Sequence, residues 1–413
     1  MDARRALAIT LVAVVLGAAA AAMPWPEASG AAIRETVASA LAFPVSFAFP
    51  PAGEFPAGSI LYAERLTGDL RVLTPGGPSP GPVVANVSVL TNGEQGLLGI
   101  AVAPDFGTMP YAYAYHTYRN GTTGGAMNRV IRWWLGPTAP PGPAPVDVVL
   151  DGIPAGSNHN GGILGFAPDG TLFATTGDAG NSANSQDNGT LAGKVLRMNP
   201  DGSIPANNPI PGSPVYTLGH RNVFGLAFHP ITGTPYVSEN GPSQDDEVNV
   251  LEPGRNYGWP VGTGPLLDPR FVDPILTFPA VIAPTGLAFS TGTRSPAWRD
   301  SLFLGDWNRG VLQRIALGGP TYRVVTGTEV VDTFGGNGLL DVEDGPDGYL
   351  YVSTADAIYR LRDAGGTPGG ASVGFGEVLL GIAIAVIVVA FVGALWRERR
   401  RRPPAEPPSP PPS

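Results

Sequence analysis

Four short loops in this 413-residue chain carry side chains able to do chemistry: "NGEQGLLG" (92–99), "SNHNGG" (157–162), "GHRNVFG" (219–225) and "SENGPSQDDEVN" (238–249). They offer a carboxylate at Glu94, an imidazole at His159 and a guanidinium at Arg221. They also offer an acidic cluster, Asp245, Asp246 and Glu247, beside Gly241 and Pro242. The chain has only four histidines. His159 stands between Asn158 and Asn160 and before two glycines, a setting suited to the mouth of a pocket. An imidazole there can act as a general base at neutral pH. Carboxylates and free backbone carbonyls are ligands for a hard cation such as calcium, and no His/Cys spacing suggests zinc. The competing structural roles are a loop cap for His159, an ion pair locking two elements for Arg221, and a solvated turn for the acids.

Composition bounds what can hold these loops. Gly and Pro make up about a quarter of the chain and are spread evenly, as expected of many short strands joined by tight turns. There is no cysteine, so disulfides and thiolate chemistry are excluded. Lys194 is the only lysine, which leaves little room for Schiff-base chemistry. Without residues 1–30 and 397–413 the chain keeps 18 basic against 30 acidic residues, a net charge near −12, which argues against nucleic acid as a partner.

Both ends read as addresses. Residues 1–30 open with a short basic start, an apolar stretch and a run of alanines, as in a secretory signal or an N-terminal anchor. Val378–Trp396 is 19 residues without a charge, long enough to span a bilayer, and "RERRRR" follows at once. The expected order is a linker at 364–377, a transmembrane helix at 378–396 and a basic, Pro-rich cytoplasmic tail at 397–413. The protein would then sit in the cell membrane by a single C-terminal pass, with its main domain extracellular.

Between about 40 and 363 one phrase recurs: an alternating apolar run, a turn such as "PDG", then a second alternating run. The turns fall near residues 54, 105, 169, 232, 293 and 347. Period-two alternation around an Asp-Gly-type turn is a hairpin. Six of them at a near-regular interval predict an all-β, six-bladed propeller. Loops distant in sequence would meet at one end of its central channel.

The strings "GLLGIAVAPDF", "HNGGILGFAPDG", "TTGDAG", "LAGKVLRMNPDGSIPANNP", "YTLGHRNVFGLAFHP" and "SENGPSQDDEVNVLEPGRNYGWP" resemble the glucose/sorbosone dehydrogenases over about residues 45–362. That family includes the soluble PQQ-dependent glucose dehydrogenase and the aldose sugar dehydrogenases. The resemblance implies oxidation of the C1 hydroxyl of a sugar to a lactone. PQQ would take the hydride and Ca2+ would polarise the quinone, with an external or membrane electron acceptor downstream. His159 matches the base. Arg221 and Asn222 match cofactor contacts, and the resemblance implies an electrophilic or anchoring role for Arg221 near the quinone oxygens. Gly241 and Pro242 match carbonyl ligands of the catalytic calcium. Asp246, Glu247 and the carbonyl of Tyr257 match a paired calcium site. Glu94, Asn158 and Asn240 stand where the soluble glucose enzyme has glutamine, aspartate and glutamine.

The chain departs from that pattern where the tricarboxylate PQQ meets basic residues. Asn308 stands in place of a lysine, and Gly338 and Leu340 in place of two arginines, with Arg309 the nearest substitute. Three readings are therefore carried forward. The first is a membrane-anchored, PQQ- and calcium-dependent aldose dehydrogenase. The second is a cofactor-less propeller that binds carbohydrate or a partner, and the third is a calcium-dependent hydrolase of the lactonase type.

Overall fold

The computed structural model describes residues 32–137 and 146–365. The N-terminal segment 1–30, nearly all of the 364–377 linker, the 378–396 span and the 397–413 tail lie outside the described residues. Among the described residues no helix is long and apolar enough to cross a membrane.

The strands form six four-stranded antiparallel sheets arranged as blades of a propeller. Blades one to five are consecutive in the chain: residues 44–86, 97–154, 164–218, 223–278 and 284–333. Each recurring phrase supplies the innermost and second strands of its blade. The innermost strands neighbour one another in order around the ring, and the sixth returns to the first.

Blade six combines Leu339–Asp344, Leu350–Thr354 and Ala357–Asp363 with Ala32–Ser39, which pairs on its outer edge. A propeller starting near residue 40 therefore omits one strand. Its sequence, AIRETVAS, is mostly exposed and lacks an apolar face, so alternation gives no signal there. The first and last described strands thus close the ring in one sheet.

The core is not central. It consists of six apolar clusters, each between two adjacent blades. Val45, Leu61 and Leu70 meet Leu97, Ile100 and Ile131 between blades one and two. Phe47 and Tyr62 meet Ala38, Tyr351 and Ile358 where blade one meets blade six. A single sheet has two apolar faces here, and only the ring buries both.

Five of the six innermost strands carry a register shift at their first residues: Pro44/Ser46, Leu97/Gly99, Val223/Gly225, Pro284/Leu287 and Leu339/Asp341. Such bulges bend the strand and re-aim side chains. All lie at the same end of the channel. Blade three has none, and the loop entering it carries His159.

Candidate active site at the channel mouth

His159 precedes the innermost strand Leu164–Phe166 and has φ 57°, in the left-handed region. That conformation is uncommon for a residue with a Cβ and is held by its surroundings. The backbone N–H of His159 donates to Glu94 Oε2 at 2.6 Å, and its carbonyl accepts from Ala179 N–H at 3.1 Å. Gly177 passes so close beneath that a Cβ there would lie 2.1 Å from the His159 carbonyl oxygen. Asn160 is buried and ties the loop back, exchanging bonds with Gly156 and accepting from Asn128. Asn158 is exposed.

The imidazole Nδ1 lies 2.7 Å from Asp178 Oδ1, with the His159 side chain 14% exposed and Asp178 only 2%. Trp259 Nε1–H donates to Asp178 Oδ2 at 3.0 Å, and Gly180 N–H to Oδ1 at 2.8 Å. Burial pushes the Asp178 carboxyl up, but the bonds from His159, Trp259 and Gly180 outweigh it, and the net direction is down. An ionised Asp178 fixes the proton on Nδ1, so Nε2 presents a lone pair. The residues thus form an imidazole with an orienting carboxylate, an arrangement able to accept a proton at Nε2. Asp178 belongs to the quoted "TTGDAG", but nothing in the string links it to a histidine nineteen residues earlier.

Arg221 follows the buried His220. Glu239 holds both, accepting from Arg221 N–H at 2.5 Å on Oε1 and meeting His220 Nδ1 at 2.8 Å on Oε2. The Arg221 Nη1 donates to the carbonyls of Asn240 and Gly241, both at 2.9 Å, and its Cζ lies 5.6 Å from the Trp259 ring centroid. Trp259 therefore touches both the His159–Asp178 pair and Arg221. Asn222 is buried and structural: its Oδ1 accepts from Gly161 N–H and its carbonyl from Asn240 N–H.

Beside these groups the channel mouth opens into a cavity of about 260 Å³. Glu94, Asn240 and Leu340 line it, together with Arg65, Phe43, Phe224 and Trp307. His159 and Arg221 adjoin it through Glu94 and Asn240. Asn308 does not line it; exposed, it donates to the Val281 carbonyl. Arg309 turns to Asp306 instead, through Nε and Nη2 at 3.0 and 2.6 Å.

The expected calcium ligands come together only in part: Gly241, Glu247 and Tyr257 line one small cavity, while Pro242 and Asp246 do not. Asp246 and Glu247 are consecutive in the strand Asp246–Val250, so their side chains leave opposite faces. Asp246 accepts from the N–H groups of Gly241, Ile282 and Ala283 and acts as a buckle between blades four and five. Gly241's carbonyl carries the Arg221 bond, and Pro242 is exposed. Glu247 instead faces a second, water-sized cavity shared with Glu239, Gly241, Asp245 and Tyr257. Burial, then the charge of Glu239, pushes the Glu247 carboxyl up to about 8. Arg221 lines the same cavity, and Glu247 accepts from Asn249 Nδ2–H and Gly264 N–H at 2.9 and 2.6 Å. Among the described residues no group of three His, Cys, Asp or Glu is placed to hold a metal.

The glucose/sorbosone dehydrogenase family model matches residues 44–362, the whole ring apart from its closing outer strand. The chain belongs to this family. It is 28% identical to the aldose sugar dehydrogenase YliI of Escherichia coli, over 71% of this chain and 83% of that one. It is 37% identical to quinoprotein glucose dehydrogenase B of Acinetobacter calcoaceticus, over 50% of this chain and about half, 48%, of the relative. The PQQ-bound aldose sugar dehydrogenase of Streptomyces coelicolor superposes with TM-score 0.68 at 32% identity, covering 81% of this chain and 99% of that one. Family members are sugar dehydrogenases, so an oxidoreductase is the class of activity this chain inherits. Phe43, Phe224 and Trp307 give the mouth cavity aromatic walls, with Phe43 and Trp307 tilted by 48°.

Proposed function

We propose that the chain oxidises the C1 hydroxyl of an aldose to the lactone, with His159 as general base and a quinone of the PQQ type as acceptor. The observation that carries this is the His159–Asp178 pair at 2.7 Å, set beside an aromatic-walled cavity at the channel mouth. His159 Nε2 takes the hydroxyl proton as hydride leaves C1. Asp178 holds the ring in the required tautomer and stabilises the imidazolium that forms. Arg221, fixed by two carbonyls, keeps positive charge where negative charge grows. Apolar walls keep water from the reacting face. When bound, the quinone supplies the hydride acceptor. Turnover with PQQ and a panel of aldoses, read by reduction of a dye, tests the proposal; no turnover with any aldose would refute it.

Calcium is part of the proposal at the cavity of Glu247, Glu239 and the Tyr257 carbonyl. Calcium should raise the melting temperature, because a ligand that binds only the folded state stabilises it. No change on chelation would count against that site.

We also propose that residues 378–396 anchor the protein in the cell membrane, that residues 1–30 direct export, and that the propeller is extracellular and passes electrons to an external or membrane acceptor. Charge asymmetry around the apolar span supports this orientation. Protease added to intact cells should remove the propeller and leave the tail; a protected propeller would reverse the topology.

One observation favours the cofactor-less binding module: Asn308, Gly338 and Leu340 place no cation at the mouth. Failure to bind any quinone, with an aldose still bound, would select it.

A further inference from the structure

The charge at the mouth cavity is lower than a multiply charged ligand requires. Among the described residues Arg65 is the one cation lining it and Glu94 the one anion. Glu94 is tied to the His159 N–H. Arg65 Nη1 donates to the carbonyls of Gly93 and Gln95 at 2.8 and 3.3 Å, and its Cζ lies 4.6 Å from the Phe43 ring centroid. No hydrogen bond engages its Nη2 among the described residues. Of the nearby arginines, Arg221 likewise donates to two carbonyls but does not line this cavity, and Arg309 pairs with the buried Asp306.

The Trp307 side of the cavity is closed to charge by packing. Trp307 lies over Gly338 so tightly that a Cβ at 338 would sit 2.3 Å from the indole Cε3. Its ring leans on Phe43 at 5.8 Å between centroids, yet Trp307 stays 39% exposed. Leu340 continues the same wall. An indole therefore fills space that a long basic side chain from 338 would need. A carboxylate pressed against this wall loses water and gains no partner, which is unfavourable. A ring face pressed against it gains aromatic contact.

We propose that this mouth selects a flat ortho-quinone carrying at most one anionic group, held by stacking on the Trp307 wall and by a single charge contact to Arg65. The inference rests on the quinone reading above and adds the charge class of the ligand.

The test compares PQQ, a tricarboxylate, with its trimethyl ester, by calorimetric titration of the full chain in detergent with calcium present. The ester should bind within about threefold of the acid, or tighter, because an unpartnered buried carboxylate lowers affinity by roughly tenfold or more. Arg65→Gln should weaken the acid about tenfold and leave the ester unchanged. Trp307→Ala should weaken both. Melting temperatures of both variants report whether the fold is kept. An acid that binds about a hundredfold tighter than the ester would overturn the inference and leave the quinone reading standing. Equal weakening of acid and ester by Arg65→Gln would make Arg65 a brace for the 93–95 loop and overturn its charge role. Binding of neither compound would overturn the quinone reading itself.

Discussion

Asp178 Oδ1 lies 2.7 Å from His159 Nδ1, while its other oxygen accepts the Trp259 indole N–H at 3.0 Å. The carboxylate is thus held from two sides and cannot swing away from the imidazole. Asp178→Asn keeps the size but offers an amide N–H to Nδ1, which favours the wrong tautomer. Turnover should fall by about 10²–10⁴-fold, with KM and the melting temperature little changed. A decrease in KM-type binding alone, with turnover intact, would reduce Asp178 to a packing role.

His159→Asn should remove most turnover, by a similar 10²–10⁴-fold. Asparagine is chosen because it tolerates the left-handed φ of 57° that alanine would strain. Quinone binding by titration should persist. Dye-coupled activity within about threefold of the parent would rule out the base.

Gly177→Ala tests how closely the loop is seated. Its Cβ would lie 2.1 Å from the His159 carbonyl oxygen and 2.8 Å from Asn222 Oδ1. The loop must shift, so activity and melting temperature should both drop, with a stability loss of about 1–3 kcal/mol typical of overpacking. Unchanged thermal unfolding would mean that the loop yields freely.

Ring closure can be probed in the outer strand of blade six. Ala38 is 3% exposed in the cluster with Phe47 and Ile358, whereas Thr36 is exposed. Ala38→Asp should lower stability by about 3 kcal/mol or more, since it buries an unpaired charge. Thr36→Asp should stay within ~0.5 kcal/mol. Equal small effects in denaturant titrations would show that the strand does not close the ring.

His116 predicts an acid limb of stability. It is fully buried, and Arg129 Nε donates to its Nε2 at 3.0 Å. Burial first, then the Arg129 charge, pushes its pKa down to about 4 from 6.5. Between those values the unfolded chain binds the proton and the folded chain does not. The stabilisation is therefore complete above about pH 6.5 and is lost as pH falls toward 4, by roughly 3 kcal/mol. His116→Gln should flatten this slope in urea titrations between pH 7 and 4.5. The same slope in both proteins would place the proton uptake elsewhere.

The sequence alone determined the ring, because each blade repeats an alternating apolar run, a turn and a second run, and that local period is written in consecutive residues. It also singled out His159 and Arg221, since unusual polar types stand at the same point of the repeated phrase. The outer strand Ala32–Ser39 was not legible, because an exposed edge strand needs no apolar alternation. Nor were Asp178, Trp259 and Arg65, which reach the site across loops and blades. Their roles follow from distances that no spacing encodes. The acidic cluster "DDE" illustrates the same limit. Its residues are adjacent in sequence, yet the pleat sends Asp246 to the amides of Gly241, Ile282 and Ala283 and Glu247 to a separate cavity with Glu239. The lining of the mouth was likewise a tertiary decision, taken where Trp307 packs onto Gly338 and where Arg65 and Glu94 come to share one cavity.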